Sequence, residues 1–162
     1  MKSAPRALAL IMTLAAAALA APPVVAETAP AARWQALHPA DKTPLAARLE
    51  AAIAARDPAT LVPVVYIGAT WCGPCKAIKR YKDDPRMQAA FAGALVIELD
   101  SDEWPGADLH ALGLASDSVP VFFAVDAHGK GTGPRITGAA WGEDVPENMA
   151  PPLQRFVASL PR

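Results

Sequence analysis

The chain has 162 residues, 52% of them hydrophobic and 19% charged, which fits one ordinary globular domain and excludes a disordered chain. Its formal charge is −1, and without Lys2 and Arg6 the remainder carries 13 basic against 16 acidic residues, a net of −3. That balance excludes the basic field of a nucleic-acid binder and a polybasic membrane patch, so neither partner is expected.

The first residues read as a secretory signal. Lys2 and Arg6 form a positive start, and Ala7 to Ala21 is an uncharged, largely apolar run of 15 residues. Val24-Val25-Ala26 supplies small residues for cleavage after Ala26, with Ala20 as a second option. A membrane anchor is the competing reading, but a span needs about 20 residues, and Pro22-Pro23 ends the run. No Cys lies near the cleavage region, which excludes a lipoprotein anchor. The expectation is a periplasmic or secreted protein with no stable membrane insertion after signal removal.

Residues 27–42 are Ala/Pro-rich and aperiodic, and read as a flexible lead-in whose Trp34 and Leu37 pack back on the domain. The domain proper is expected over 43–162. Thr43-Pro44 opens a helix, with Thr43 as N-cap and Leu45, Leu49 and Ile53 forming one apolar stripe. Val62 to Gly68 is a buried strand, with Pro63 near its start. Lys76 to Tyr81 follows in helical register, and Asp84-Pro85 restarts a short helix through Phe91. Leu95 to Leu99 is a second strand, Pro105 to Leu112 a helix, Val119 to Val125 a third strand. Asp126 to Lys130 is a turn, Arg135 to Gly138 a fourth strand, and Pro151 to Leu160 the closing helix. Strand–helix alternation predicts parallel pairing, and the short last turn predicts an antiparallel hairpin. The expected fold class is α/β, a small mixed sheet with helices on both faces.

The chemistry concentrates at Trp71-Cys72-Gly73-Pro74-Cys75-Lys76, between a buried strand and a helix. Two cysteines this close close too small a loop to staple a fold, and export places them where disulfides persist. At a helix start, free backbone N–H groups and the helix dipole favour a thiolate at Cys72. Pro74 suits the first turn, since its missing N–H would go unused there. Gly73 keeps the approach to Cys72 open, and Lys76 adds a positive charge. Cys75, one turn further in, is expected to be shielded yet within reach of the Cys72 sulfur. Cys72 would attack a substrate disulfide and Cys75 would resolve the mixed disulfide. A zinc site needs about four ligands, whereas His38, His110 and His128 are scattered; covalent haem needs His where Lys76 stands. No metal and no cofactor beyond the redox-active cysteine pair is expected.

These residues resemble the thioredoxin family over roughly Leu61 to Leu160. The resemblance implies a thioredoxin fold and thiol–disulfide oxidoreductase activity on protein disulfides. Val119-Pro120 resembles that family's cis-proline loop, which implies a cis peptide opposite Cys72 with Val119's backbone offered to an extended substrate. Thr137-Gly138-Ala139 resembles the glycine loop on the third side of the groove, and Trp71 would be a flat apolar wall. Trp71 read as core packing is the alternative, and Trp104 and Trp141 are candidates to extend the rim. Lys82-Asp83-Asp84-Pro85-Arg86-Met87-Gln88, with Arg135-Ile136-Thr137-Gly138, resembles a closer branch, the C-terminal periplasmic domain of DsbD-type thiol reductases.

The family pattern breaks in three places. Tyr66 stands six residues before Cys72, where thioredoxins hold a buried Asp, and Glu98 stands in the next strand, where they carry a Lys. Glu98 is read two ways: as the buried acceptor of the Cys75 proton with Tyr66 hydrogen-bonded nearby, or as an outward residue paired with a Lys. Arg80 replaces the usual helix proline, so that helix would be straighter. Gly73-Pro74 resembles reducing thioredoxins, and no span between Cys75 and Val119 has room for the helical insertion of a DsbA-like oxidase. A disulfide reductase fed by a membrane thiol donor is therefore expected. The alternatives are an oxidase, or a non-catalytic thiol-dependent binding or chaperone module.

Overall fold

Five strands form one sheet in the order β1-β3-β2-β4-β5 in the computed structural model, which describes residues 29–161. The expected signal segment lies outside the described residues. The strands are β1 (Arg33–Ala36), β2 (Val62–Gly68), β3 (Ala94–Asp100), β4 (Val121–Val125) and β5 (Gly131–Thr137). The helices are α1 (Leu45–Ala54), α2 (Gly73–Arg80), α3 (Pro85–Ala90), α4 (Gly106–Ala111) and α5 (Pro146–Ala158).

The central strands are apolar throughout because both faces are covered, which removes the usual alternation. Val64 and Tyr66 of β2 and Phe122 of β4 face a core closed by α2, α3 and α5 through Ile78, Met87, Leu153 and Phe156. Val65, Ile67, Ile97 and Phe123 face the opposite core, closed by Leu45, Leu49 and Ile53 of α1 and by Leu109 of α4.

Part of the segment read as a flexible lead-in is strand β1, parallel to β3 with Trp34 opposite Val96. Trp34 and Leu37 do pack on the domain: Trp34 meets Phe91 edge-on at 5.0 Å between ring centroids, and Leu37 joins the α1 core. The N-cap of α1 is Pro44, without a side-chain hydrogen bond, and not Thr43. The Thr43 N–H instead donates to Asp41 Oδ1 at 2.7 Å, a local turn that competes with capping.

β4 runs antiparallel to β2, with Val121 opposite Ile67, against the parallel pairing that strand–helix alternation predicts. The physical reason is the length of α4. Six residues rise only about 9 Å, far short of the roughly 23 Å spanned by a seven-residue strand. The chain therefore re-enters the sheet at the end where β3 left it. β5 starts at Gly131, earlier than expected, and pairs antiparallel with β4. α5 starts at Pro146 and runs through Pro151 and Pro152. Two prolines ordinarily mark a helix start; here buried Met149, Leu153, Phe156 and Val157 hold the helix across them. Asp84 caps α3, accepting from the Arg86 N–H at 2.9 Å, and Arg86 is ion-paired with both Asp84 and Glu147 of α5. In Lys82 to Gln88, then, Asp84 and Arg86 cap a helix and clamp α3 to α5.

Candidate active site

β2 ends at Gly68, and Cys72 caps α2 four residues later. The Cys75 N–H donates to Cys72 Sγ at 3.1 Å, so the side chain that caps the helix is the reactive sulfur itself. This is where an anionic sulfur gains most from unpaired N–H groups and the helix dipole. Cys72 and Cys75 form a disulfide. Cys75 is fully buried, as expected, while Cys72 retains 4% of its surface, much less than an open approach implies. The cover comes from Val119, which packs on the pair, with its carbonyl oxygen 3.6 Å from Cys72 Sγ. Pro74 occupies the first turn of α2, and a Cβ built on Gly73 would meet open space, so the accessible side lies there.

The Val119–Pro120 peptide is cis, and Pro120 is buried just before β4. The Gly138 N–H donates to the Pro120 carbonyl at 3.1 Å, joining the end of β5 to the proline loop. The structure thus brings Cys72, Cys75, Val119, Pro120 and Gly138 to one end of the sheet. Trp71 lies beside them, 65% exposed, which overturns the core-packing alternative. Its indole N–H donates to Asp102 Oδ2 at 2.8 Å. Sequence reading missed Asp102, and no periodicity could have found a partner 31 residues away.

Trp104 and Trp141 do not extend the rim. Both are buried, and each indole N–H has an acceptor inside the fold, the Leu37 carbonyl and Asp144 Oδ1 respectively. A tryptophan whose one polar atom is satisfied within the fold gains by burying the rest of its ring.

Glu98 is not the buried acid of the first of its two readings. Its side chain is 24% exposed and pairs with Lys79 Nζ at 2.5 Å, the second of the two readings. Tyr66 lies opposite Glu98 in the β2–β3 register, yet its hydroxyl has no hydrogen-bond partner, although the residue is fully buried. Burial first, then the charges of Glu98 and Asp100, push the Tyr66 phenol far above its ordinary range. α2 ends at Arg80, and Tyr81 to Asp84 separate it from α3.

His38 pairs with Glu103 and His128 with Glu50, both at the surface. Among the described residues, no group of three or more His, Cys, Asp or Glu could hold a metal ion. Among the same residues, no helix is long and apolar enough to cross a membrane.

No protein-family model matches the chain, and no curated protein does. Among solved structures it is similar to a mutant thioredoxin from Halobacterium salinarum, at 18% identity and TM-score 0.49, covering 81% of this chain and 91% of that one. It is similar to oxidised thioredoxin from Plasmodium falciparum at 18% identity and TM-score 0.45, covering 68% and 91%. A thioredoxin from Nicotiana alata gives 23% identity and TM-score 0.44, covering 67% and 83%. The fold is thioredoxin-like. The strand order, the cysteine pair at the β2–α2 junction and the cis proline before β4 make it so on the chain's own geometry. A Cys-X-X-Cys disulfide set on this fold is a thiol–disulfide oxidoreductase centre.

Proposed function

We propose that the chain is an exported disulfide reductase, recharged by a membrane thiol donor, in the manner of the DsbD-type periplasmic domain it resembles. The observation that carries the reading is Cys72 at the N-cap of α2, receiving the Cys75 N–H and flanked by the Val119 carbonyl. In the dithiol, the Cys72 thiolate attacks a substrate disulfide and expels one substrate thiolate, giving a mixed disulfide. Cys75 then gives up its proton, attacks Cys72 Sγ and releases the second substrate sulfur, which takes a proton. Two electrons pass from the cysteine pair to the substrate. An extended substrate segment lies against Val119, between Trp71 and Gly138. The exported setting rests on Lys2 to Ala26, and the reducing direction on Gly73-Pro74.

The test is the equilibrium of Cys72–Cys75 with glutathione. A potential near the roughly −270 mV of thioredoxin supports the reductase, and one near the roughly −120 mV of DsbA overturns its direction. Cys75→Ser should trap mixed disulfides with client proteins and Cys72→Ser should trap none; equal trapping by both would reject the assignment of roles.

A further inference from the structure

Four of the seven residues from 76 to 82 are basic and none is acidic, in a chain whose acids outnumber its bases. They are Lys76, Lys79 and Arg80 of α2 and Lys82 just after it, and all four are exposed. Lys76 and Arg80 stand one helical turn apart, in line with Gly73, while Cys75, Ala77 and Ile78 turn inward. Like charges at that spacing destabilise a helix. Lys76 also sits in the first turn, where the helix dipole disfavours a cation. The fold does not compensate them. Of the four, among the described residues, Lys79 alone has an ion-pair partner, Glu98. Lys82 lines the same groove as Lys79 and Glu98, so two cations share one carboxylate there, and Asp84 nearby is engaged by Arg86. The Arg80 guanidinium lies over the Tyr81 ring, 5.7 Å from its centroid, which holds it in place without neutralising it. This strip begins at the open side of Cys72, where a Cβ on Gly73 would meet nothing. Asp102 and Glu103 lie towards the other face of the sheet, since the adjoining Trp104 is buried in the α1 core and Ile78 of α2 in the opposite one.

We propose that the exposed face of α2 is a docking strip for an acidic segment of the disulfide protein that reacts at Cys72. The inference rests on the exchange chemistry proposed above and names the class of protein it serves. From Cys72 to Arg80 the helix rises about 12 Å, which an extended segment covers in about four residues. Carboxylates three to five positions from the partner's reacting cysteine therefore fall over Arg80 and Lys82. Cations without counter-ions on the approach raise the local concentration of such a partner and its association rate, in a salt-dependent way. Arg80, already held against Tyr81, offers a fork of donors to a carboxylate with little side-chain freedom left to lose. Asp102 and Glu103 repel the same partner from the other face, so it is oriented along α2.

The probes are three peptides of one length with a central cysteine, carrying Asp, Ser or Lys at the third to fifth positions on either side. Each is supplied as its mixed disulfide with 2-thiopyridine. Cys72 of the reduced protein attacks the peptide sulfur and expels 2-thiopyridone, whose absorbance gives the rate. Cys75 then displaces the peptide thiol, so the pair loses two electrons and the probe gains two. At low salt the Asp peptide should react about tenfold faster than the Lys peptide, and high salt should bring the two within about twofold. Arg80→Glu with Lys82→Glu should abolish or reverse the preference, with the Ser peptide within about twofold of wild type. Arg80→Gln, a milder change, should lower the preference about threefold by itself. Equal rates for the Asp and Lys peptides in the wild type, a faster Lys peptide, or a preference that ignores salt overturns this inference and leaves the exchange reading standing. So does a preference that survives both variants. Failure of the wild type to react with any of the three peptides overturns the oxidoreductase reading together with it.

Discussion

Gly138→Ala probes whether the loop after β5 holds the substrate groove in register. The added Cβ would stand 3.2 Å from Pro120 Cδ and 3.5 Å from Cγ, with Trp141 Cζ2 at 3.7 Å. Neither neighbour is the free end of a flexible chain. The proline ring is rigid and its carbonyl accepts the Gly138 N–H, so relief comes from the two loops parting by a few tenths of an ångström. Crowding of this kind costs about 1–2 kcal/mol of stability. The larger consequence falls on Val119, whose carbonyl faces Cys72 Sγ at 3.6 Å. Misplacement by 1 Å costs on the order of a hundredfold in rate, so a few tenths should cost about three- to tenfold. The assay is kcat/KM for insulin reduction beside kcat/KM for a small aromatic disulfide that needs no groove. The protein substrate should lose about three- to tenfold, mostly in KM, and the small disulfide should stay within about twofold. Equal loss on both substrates, or none on either, would refute the role given to this loop.

Two further predictions concern stability. Gly129, at φ 76°, closes the β4–β5 turn against α1, and a Cβ there would meet Leu49 Cβ at 2.6 Å. Gly129→Ala combines about 1–2 kcal/mol for the left-handed backbone with about 1–3 for overpacking. Thermal unfolding should fall by more than roughly 6 °C, with exchange at 25 °C unchanged, and a loss under 2 °C would rule out the contact. The Tyr66 phenol predicts alkaline weakening. Unfolded tyrosine ionises near 10.0 while the folded phenol keeps its proton, so the unfolded state binds fewer protons above that pH. Stability is full below pH 10 and falls above it by about 1.4 kcal/mol per pH unit. Urea midpoints of the wild type and Tyr66→Phe should diverge above pH 10; parallel curves would mean that the phenol is not buried.

The reactive centre was legible because its parts are local motifs. Cys72, Cys75, Pro120 and Gly138 each announce themselves within a few residues, and β2 to β4 read as apolar runs because both faces are buried. What escaped depends on distant partners. β1 has four residues, exposed at both ends, and offers no period; the free edge of β3 and the rings of Phe91 and Tyr66 around Trp34 make it a strand. Trp104 stayed a candidate for the rim because sequence does not show where an indole N–H will find its acceptor, here a carbonyl 67 residues away. Glu98 could be read either way because its strand neighbours are apolar, and Lys79, on a different element, draws its carboxylate to the surface.

The same arrangement decides how the reactive pair responds to acid. Nothing charged is buried in the domain among the described residues, so the groups that bear on the sulfurs from within are neutral donors: the start of α2 and the Cys75 N–H. Glu98, opposite Tyr66 in the sheet, carries its counter-ion in Lys79. A neutral donor does not titrate between pH 4 and 9, and a compensated pair adds little field to a sulfur beyond it. Alkylation of reduced Cys72 across that range should therefore follow one ionisation, that of the sulfur, with Glu98→Gln leaving the curve in place. A second inflection that disappears in Glu98→Gln would show that the carboxylate reports on the sulfurs after all. It would return the acid to the centre of the chemistry.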